Sequence, residues 1–173
     1  MRISTVVQYR HVHLSEQDFA LLFGGDLAVS LSALSHRGQH VLEQTVIIKT
    51  AKGKFEDVRI LGPVREKTQV ELSASDAFAL GINAPVRVSG DLARSGSCTI
   101  IGPEGEVEVK SSVIIPARHI HVSPQAAKKL EIAHHDIINL QVDGHETIID
   151  HVTVRVHPTF SLEFHLTSDE AAQ

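Results

Sequence analysis

The sequence predicts a mainly β fold, two small β-barrels capped by short α-helices and related by an internal repeat. Three observations carry that expectation. Apolar residues are largely β-branched and come in short runs closed by turn residues. Hydroxyl residues with helix-capping spacing stand after several of those runs. A six-residue segment near the start of the chain returns, displaced by 108 positions.

The strand candidates run through 41–48, 58–61, 86–88, 99–101, 113–115 and 152–156. Lys52-Gly53-Lys54, Pro103-Glu104-Gly105 and Asp143-Gly144-His145 separate such runs, and each is a glycine-bearing connection of the kind that closes a hairpin. Helices are expected to be few and short. Ser15 with Asp18, Ser73 with Asp76 and Thr167 with Glu170 have capping-box spacing or its aspartate variant, and Ser123 precedes Pro124, which suits the first helical position. Gly81 after Ala79-Leu80 is placed to end the second helix in a left-handed conformation. Long crossover helices are missing, which argues against a doubly wound sheet.

Composition removes several function classes. Cys98 is the single cysteine among 173 residues, so an intrachain disulfide and a thiolate-rich metal site are both excluded. Any metal must be held by nitrogen and oxygen. The net charge of −5, with Lys and Arg scattered, argues against a nucleic-acid surface. The opening Met1-Arg2-Ile3-Ser4 lacks a basic cluster followed by an apolar stretch, and no window approaches about eighteen uncharged apolar residues. No membrane partner is expected, and a cytoplasmic location is. Histidine is unusually frequent, at twelve residues, and it is the commonest metal ligand.

The repeat gathers four of those histidines. Arg10-His11-Val12-His13-Leu14-Ser15 recurs as Arg118-His119-Ile120-His121-Val122-Ser123. On a strand the two histidines of each His-x-His project to one side, roughly 6 to 7 Å apart, while Val12 and Ile120 point the other way. That arrangement suits imidazoles converging on one metal or on two adjacent metals. A strand by itself gives no reason to place histidine twice at both positions, since Thr or Tyr would serve the fold better. His165, before the cap at Thr167, and Glu71, before the cap at Ser73, occupy the same strand-to-helix position and complete six candidate ligands. Shared between two zinc ions, six ligands give three each and leave a coordination position open, the pattern of catalytic zinc. The remaining histidines, His36, His40, His134, His135, His145, His151 and His157, share no motif and read as surface or structural.

Taken in order, several blocks resemble the PduL-type phosphate propanoyltransferases, zinc-dependent phosphotransacylases. They are the two His-x-His segments, Leu61-Gly62-Pro63-Val64-Arg65-Glu66-Lys67-Thr68-Gln69-Val70-Glu71, Asp76-Ala77 with Leu80-Gly81, Pro85-Val86-Arg87-Val88-Ser89-Gly90-Asp91, and Leu162-Glu163-Phe164-His165 ahead of Asp169-Glu170-Ala171. The resemblance implies two capped β-barrels with two zinc ions where they meet, the first barrel formed by 1–30 with 112–173 and the second by 31–111. It implies metal ligands at His11, His13, Glu71, His119, His121 and His165, and a phosphate-binding arginine at Arg65. It implies exchange of phosphate for coenzyme A on a short acyl group, with acyl-CoA, phosphate, acyl phosphate and coenzyme A as partners.

One segment departs from the family pattern: Leu34-Ser35-His36-Arg37-Gly38-Gln39 stands where a Leu-Ser-Gln-Pro-Gly-Gln loop is usual. A microcompartment-directing N-terminal extension is not evident, which favours a free cytoplasmic role and acetyl as an alternative acyl group to propionyl. Cys98 lies in a strand-like run and reads as a core residue rather than a nucleophile. Exposed strand edges are compatible with a homodimer. Two other functions use the same ligands: a binuclear zinc hydrolase acting on esters or phosphoesters, and a zinc-stabilised binding module with closed coordination.

Overall fold

The structure, a computed structural model, describes residues 2–25, 28–33 and 39–173. In chain order the strands are β1 (Ser4–Gln8), β2 (His11–His13), β3 (Ser30–Ala33), β4 (His40–Lys49), β5 (Lys54–Gly62), β6 (Gln69–Glu71), β7 (Val86–Arg87), β8 (Gly96–Ile101), β9 (Glu106–Pro116), β10 (His119–Val122), β11 (Ile137–Gln141), β12 (Ile148–Val156) and β13 (Glu163–Thr167). The helices are α1 (Glu16–Phe23), α2 (Ala74–Ala79), α3 (Pro124–Leu130) and α4 (Ser168–Ala171).

All four helices begin at the hydroxyl residue the sequence marks. Ser15, Ser73, Ser123 and Thr167 accept hydrogen bonds from the backbone N–H groups of Asp18, Asp76, Ala126 and Glu170, which pairs one otherwise orphaned donor in each first turn. Gly81 has φ 63°, the left-handed conformation that ends α2 without a Cβ clash. The three glycine-bearing connections join β4 to β5, β8 to β9 and β11 to β12, and each pair is antiparallel.

One compact unit comprises residues 9–25, 28–33 and 39–116. Its ladders run β4–β5–β2–β6–β9–β8 and return from β8 to β4, closing a six-stranded barrel. Closure removes the free edges of those strands. The interior is β-branched, with Val12, Val46, Ile48, Val58, Ile60, Val70, Ile100 and Val113 all buried, and α1 adds Phe19, Leu22 and Phe23 to the same cluster.

The other compact unit comprises residues 2–8 and 117–173. Its sheet has the order β1-β13-β10-β12-β11, over a core of Ile120, Val122, Val152, Val154, Phe164 and Leu166 with Ile3 and Val7 packed against it. The sequence reading anticipates a second closed barrel here, whereas the ladder runs from β1 to β11 with no pairing between those two ends among the described residues. The pairings supply the reason. In the barrel, β8 bridges β9 and β4. In the sheet, β1 and β11 take the places of β9 and β4 by their pairing partners, and no described strand takes the place of β8.

The units divide after Gln8 and after Pro116, compared with the 30/31 and 111/112 divisions expected from sequence. The strand before each His-x-His belongs to one unit and the His-x-His strand to the other: β1 pairs β13 while β2 pairs β5 and β6, and β9 pairs β6 while β10 pairs β12 and β13.

Gly102 marks where the β8–β9 turn meets the end of α1. A Cβ at that position would lie 2.4 Å from the Leu22 carbonyl oxygen, too close for any side chain without backbone movement. Gly102→Ala is therefore expected to destabilise the barrel by about 1–3 kcal/mol through overpacking, read as a fall in the urea unfolding midpoint; an unchanged midpoint would contradict the packing described.

Candidate metal centre

The two His-x-His strands have the same kind of neighbours. β2 lies between a parallel strand, β5, and an antiparallel one, β6, and its register places His11 opposite Glu71, Val12 opposite Val70 and His13 opposite Gln69. β10 lies between parallel β12 and antiparallel β13, with His119 opposite His165, Ile120 opposite Phe164 and His121 opposite Glu163. The middle residues Val12 and Ile120 fill the two cores at 1% exposure or less. Alternation along the strand then sends the flanking histidines to the opposite face, together with the side chain opposite the first of them.

The six candidate ligands accordingly fall into two groups of three: His11, His13 and Glu71 in the barrel unit, and His119, His121 and His165 in the sheet unit. Within each group one ligand atom per residue lies within 4.8 Å of the others. All six residues are 6% exposed or less. The imidazole centroids of His11 and His13 are 5.1 Å apart, those of His119 and His121 4.7 Å, and those of His119 and His165 5.0 Å.

Backbone carbonyls set the ring orientation. Nδ1 of His11 lies 2.8 Å from the Tyr9 carbonyl, Nδ1 of His119 lies 2.9 Å from the Ala117 carbonyl, and Nδ1 of His13 lies 3.1 Å from the Leu61 carbonyl. A carbonyl only accepts, so Nδ1 is the donor in each, and Nε2 is the nitrogen left to coordinate. Nε2 of His11 and His13 face Glu71 at 3.4 and 3.8 Å. Tetrahedral zinc with ligand bonds near 2.0 Å separates its donors by roughly 3.3 Å, so the spacing and the nitrogen-and-oxygen donor set both fit a zinc ion with one position left open.

Electrostatics favour the ligand forms of Glu71 and His13. Burial opposes the Glu71 carboxylate, yet the charge and hydrogen bond of His11, with His13 and Arg65 behind them, hold its pKa well below the ordinary carboxylate range. At His13, burial and the neighbouring His11 push the pKa down to about 3, so the ring is neutral at pH 7. Burial also opposes a charged His11, but Glu71 overrides it and raises that pKa. The same Glu71 carboxylate that favours a proton on His11 would favour a metal cation in its place.

Arg65, the remaining site residue expected from sequence, belongs to the barrel unit. Its backbone N–H donates to the Leu14 carbonyl at 2.8 Å, its Nη1 donates to Ser89 Oγ at 3.2 Å, and its charge is felt at His11, His13 and Glu71. Ser89 thereby lies against both Arg65 and Gln69.

Other contributors were not singled out in the sequence. Gln69 donates to Glu71 Oε1 at 2.5 Å, and Glu163 Oε2 approaches His165 Nε2 at 3.5 Å. Phe160 stacks on His121 with centroids 3.9 Å apart. The available signal was strand alternation, since Gln69 and Glu163 each stand two residues before the third ligand of their group. The arginine ahead of each His-x-His also has a role: Arg10 makes a two-point contact with Asp76, three residues past the cap of α2, and Arg118 approaches Glu170, three residues past the cap of α4. Of the histidines without a motif, His134, His135, His145, His151 and His157 are exposed, and His40 is half-buried with its ring over Gly62. His36 and the 34–38 part of the divergent loop lie outside the described residues.

Comparison with known proteins follows the same lines. The profile of the phosphate propanoyltransferase family matches residues 4–173. A phosphate propanoyltransferase of Escherichia fergusonii is 45% identical over 167 residues, covering 95% of this chain and 80% of that protein. One from Thermotoga maritima is 45% identical over 168 residues with the same coverages, and one from Salmonella typhimurium is 42% identical over 167 residues, again at 95% and 80%.

The Arg10–Asp76 contact anchors the start of α2 to the residue before His11, with Nη2–Oδ1 and Nε–Oδ2 distances of 2.6 and 3.1 Å and the guanidinium 4.1 Å above the Phe55 ring. Removing the buried carboxylate in Asp76→Ala is expected to cost about 1–3 kcal/mol. Asp150→Ala, which removes an exposed partner of Arg118, is expected to cost within about 0.5 kcal/mol. Chemical denaturation of the two variants measures the contrast; equal losses would contradict the anchoring role of Asp76.

Proposed function

The chain belongs to the phosphate propanoyltransferase family, a family of acyltransferases, and we propose that it transfers a propionyl or acetyl group reversibly between coenzyme A and phosphate with the aid of two zinc ions. The observation that carries this reading is the pair of buried three-ligand groups, each with the donor types and spacing of an open zinc site. His11, His13 and Glu71 would hold one ion, and His119, His121 and His165 the other. When bound, zinc supplies Lewis acidity, polarising a thioester carbonyl or a phosphate oxygen and stabilising a departing thiolate.

The protein's own residues supply position and charge. Arg65 is the group proposed to contact phosphate: a guanidinium presents planar paired donors to two oxygens, which fixes the nucleophile and lowers the entropic cost of reaction. In the forward direction a phosphate oxygen attacks the thioester carbonyl carbon, the carbon–oxygen bond forms, and the carbon–sulfur bond breaks. The proton carried by hydrogen phosphate ends on the coenzyme A thiol. Both thioester and acyl phosphate are activated acyl groups, so the reaction runs either way. No covalent acyl-enzyme is required, and the Cys98 thiol, which burial pushes up to about 12, is not a nucleophile. None of the described helices is long and apolar enough to cross a membrane. A cytoplasmic location and a homodimer formed through the edge strands β1 and β11 belong to the same proposal.

Purified protein is expected to contain about two zinc ions per chain by metal analysis, falling to about one in His11→Ala and in His119→Ala. Thiol release from propionyl- and acetyl-CoA should require phosphate and yield acyl phosphate. Free acid as the product would instead identify a hydrolase, and His119→Ala with full turnover would exclude a catalytic part for its group. Arg65→Ala is expected to raise the phosphate KM about 10- to 100-fold, the loss of a charge-assisted hydrogen-bonded pair. Arg65→Lys should recover only part of that loss, because a point charge lacks the paired geometry; steady-state kinetics with varied phosphate provides the measurement.

A further inference from the structure

Gln69 is 2% exposed and stands on β6 two residues before Glu71, on the same face. Its neighbours settle which way the amide points. The Gly90 N–H donates to Oε1 at 2.8 Å, so Oε1 is the carbonyl oxygen and Nε2 carries both hydrogens. Nε2 in turn donates to Glu71 Oε1 at 2.5 Å and to Ser89 Oγ at 2.9 Å. Ser89 Oγ also accepts from Arg65 Nη1. A continuous chain of contacts therefore links Glu71 through Gln69 and Ser89 to Arg65.

The chain of contacts divides the two carboxylate oxygens of Glu71. Oε1 accepts from the Gln69 amide and lies 3.8 Å from His13 Nε2, while Oε2, which Gln69 does not reach, lies closer to the imidazoles, 3.4 Å from His11 Nε2. We infer that Gln69 is a positioning residue: it holds Glu71 so that Oε2 alone is offered to a metal ion, and through Ser89 it fixes Arg65 in register with that ligand. The inference rests on the proposed zinc and phosphate reading, and it adds that the metal group and the oxyanion group of the barrel unit are set by one hydrogen-bonded unit. The sheet unit has a parallel feature, since Glu163 stands two residues before His165 and reaches its Nε2. A ligand held to one oxygen keeps a coordination position open that a two-oxygen carboxylate would fill, and a buried amide with three satisfied hydrogen bonds has little freedom to release it.

The test uses the full chain and two variants, Gln69→Leu and Ser89→Ala. Chelator competition with zinc should show one of the two ions bound about 10- to 100-fold more weakly in Gln69→Leu. In the cobalt(II)-substituted protein the visible d–d absorption should lose intensity as Glu71 turns to two-oxygen binding and the coordination number rises. At saturating zinc, Gln69→Leu should raise the phosphate KM about 10-fold, with kcat changed by less than about threefold. Ser89→Ala should leave both zinc affinities unchanged and still raise the phosphate KM, because it cuts the link on the Arg65 side only. Unchanged zinc affinity and an unchanged cobalt spectrum in folded Gln69→Leu overturn the inference. If Gln69→Leu does not fold, Ser89→Ala decides, and a phosphate KM equal to that of the parent protein overturns it. Failure of the parent protein to form acyl phosphate would count against the proposed reaction, while the zinc and cobalt measurements would still decide the role of Gln69.

Discussion

Strand alternation in β2 and β10 is the constraint on which the candidate site depends. Each of these short strands must present one β-branched residue to a core and two imidazoles to the other face, and both requirements are met because side chains alternate. Val12 and Ile120 make each strand's position costly to shift, since a slip of one residue would put histidines into an apolar interior and valine or isoleucine against the ligands. Parallel and antiparallel neighbours on the two sides then fix the register from both directions. Ligand geometry is thus a by-product of core packing, and the same hydrophobic burial that stabilises the two units holds the imidazoles in place.

Burying three polar candidate ligands on one wall of a small barrel is expensive unless each finds a partner. Glu71 is the most demanding, as a carboxylate at 3% exposure. Its negative charge is matched by His11 and by the field of Arg65, and one oxygen is further held by Gln69. Such an arrangement is electrostatically satisfied but does little to favour the folded state over an apolar replacement. Its retention is better accounted for by ligand readiness, with His13 neutral and Glu71 ionised at pH 7.

Much of the fold, and the six candidate ligands that gather into two buried groups, were legible because they rest on short-range signals. Capping residues, glycine-bearing hairpins and the His-x-His repeat are readable at fixed spacing, and Glu71 and His165 could be added because each precedes a helix cap. Partition of the six ligands into two groups was not legible, since it depends on β6 pairing β2 and β13 pairing β10 across tens of residues. The roles of β1 and β9 were hidden for a similar reason: nothing local in Ser4–Gln8 says that it pairs with β13, whereas the strand that follows it pairs elsewhere. Gln69 and Ser89 looked like ordinary polar residues because their importance lies in hydrogen bonds to each other and to Glu71 and Arg65, contacts made only after folding.

The two groups are alike in backbone and differ in where a carboxylate stands: Glu71 is one of the three clustered residues of the barrel group, whereas Glu163 stands beside the three histidines of the other, 3.5 Å from His165 Nε2. Beside the Glu71 carboxylate the protein adds Arg65, whose guanidinium brings positive charge in a form shaped for phosphate oxygens. Because Arg65 and Glu71 are joined through Ser89 and Gln69, that compensation is held in a fixed geometry instead of being left to a freely moving surface side chain. The barrel group therefore joins a buried carboxylate to a guanidinium held in place beside it, which is the arrangement the proposed phosphate contact requires.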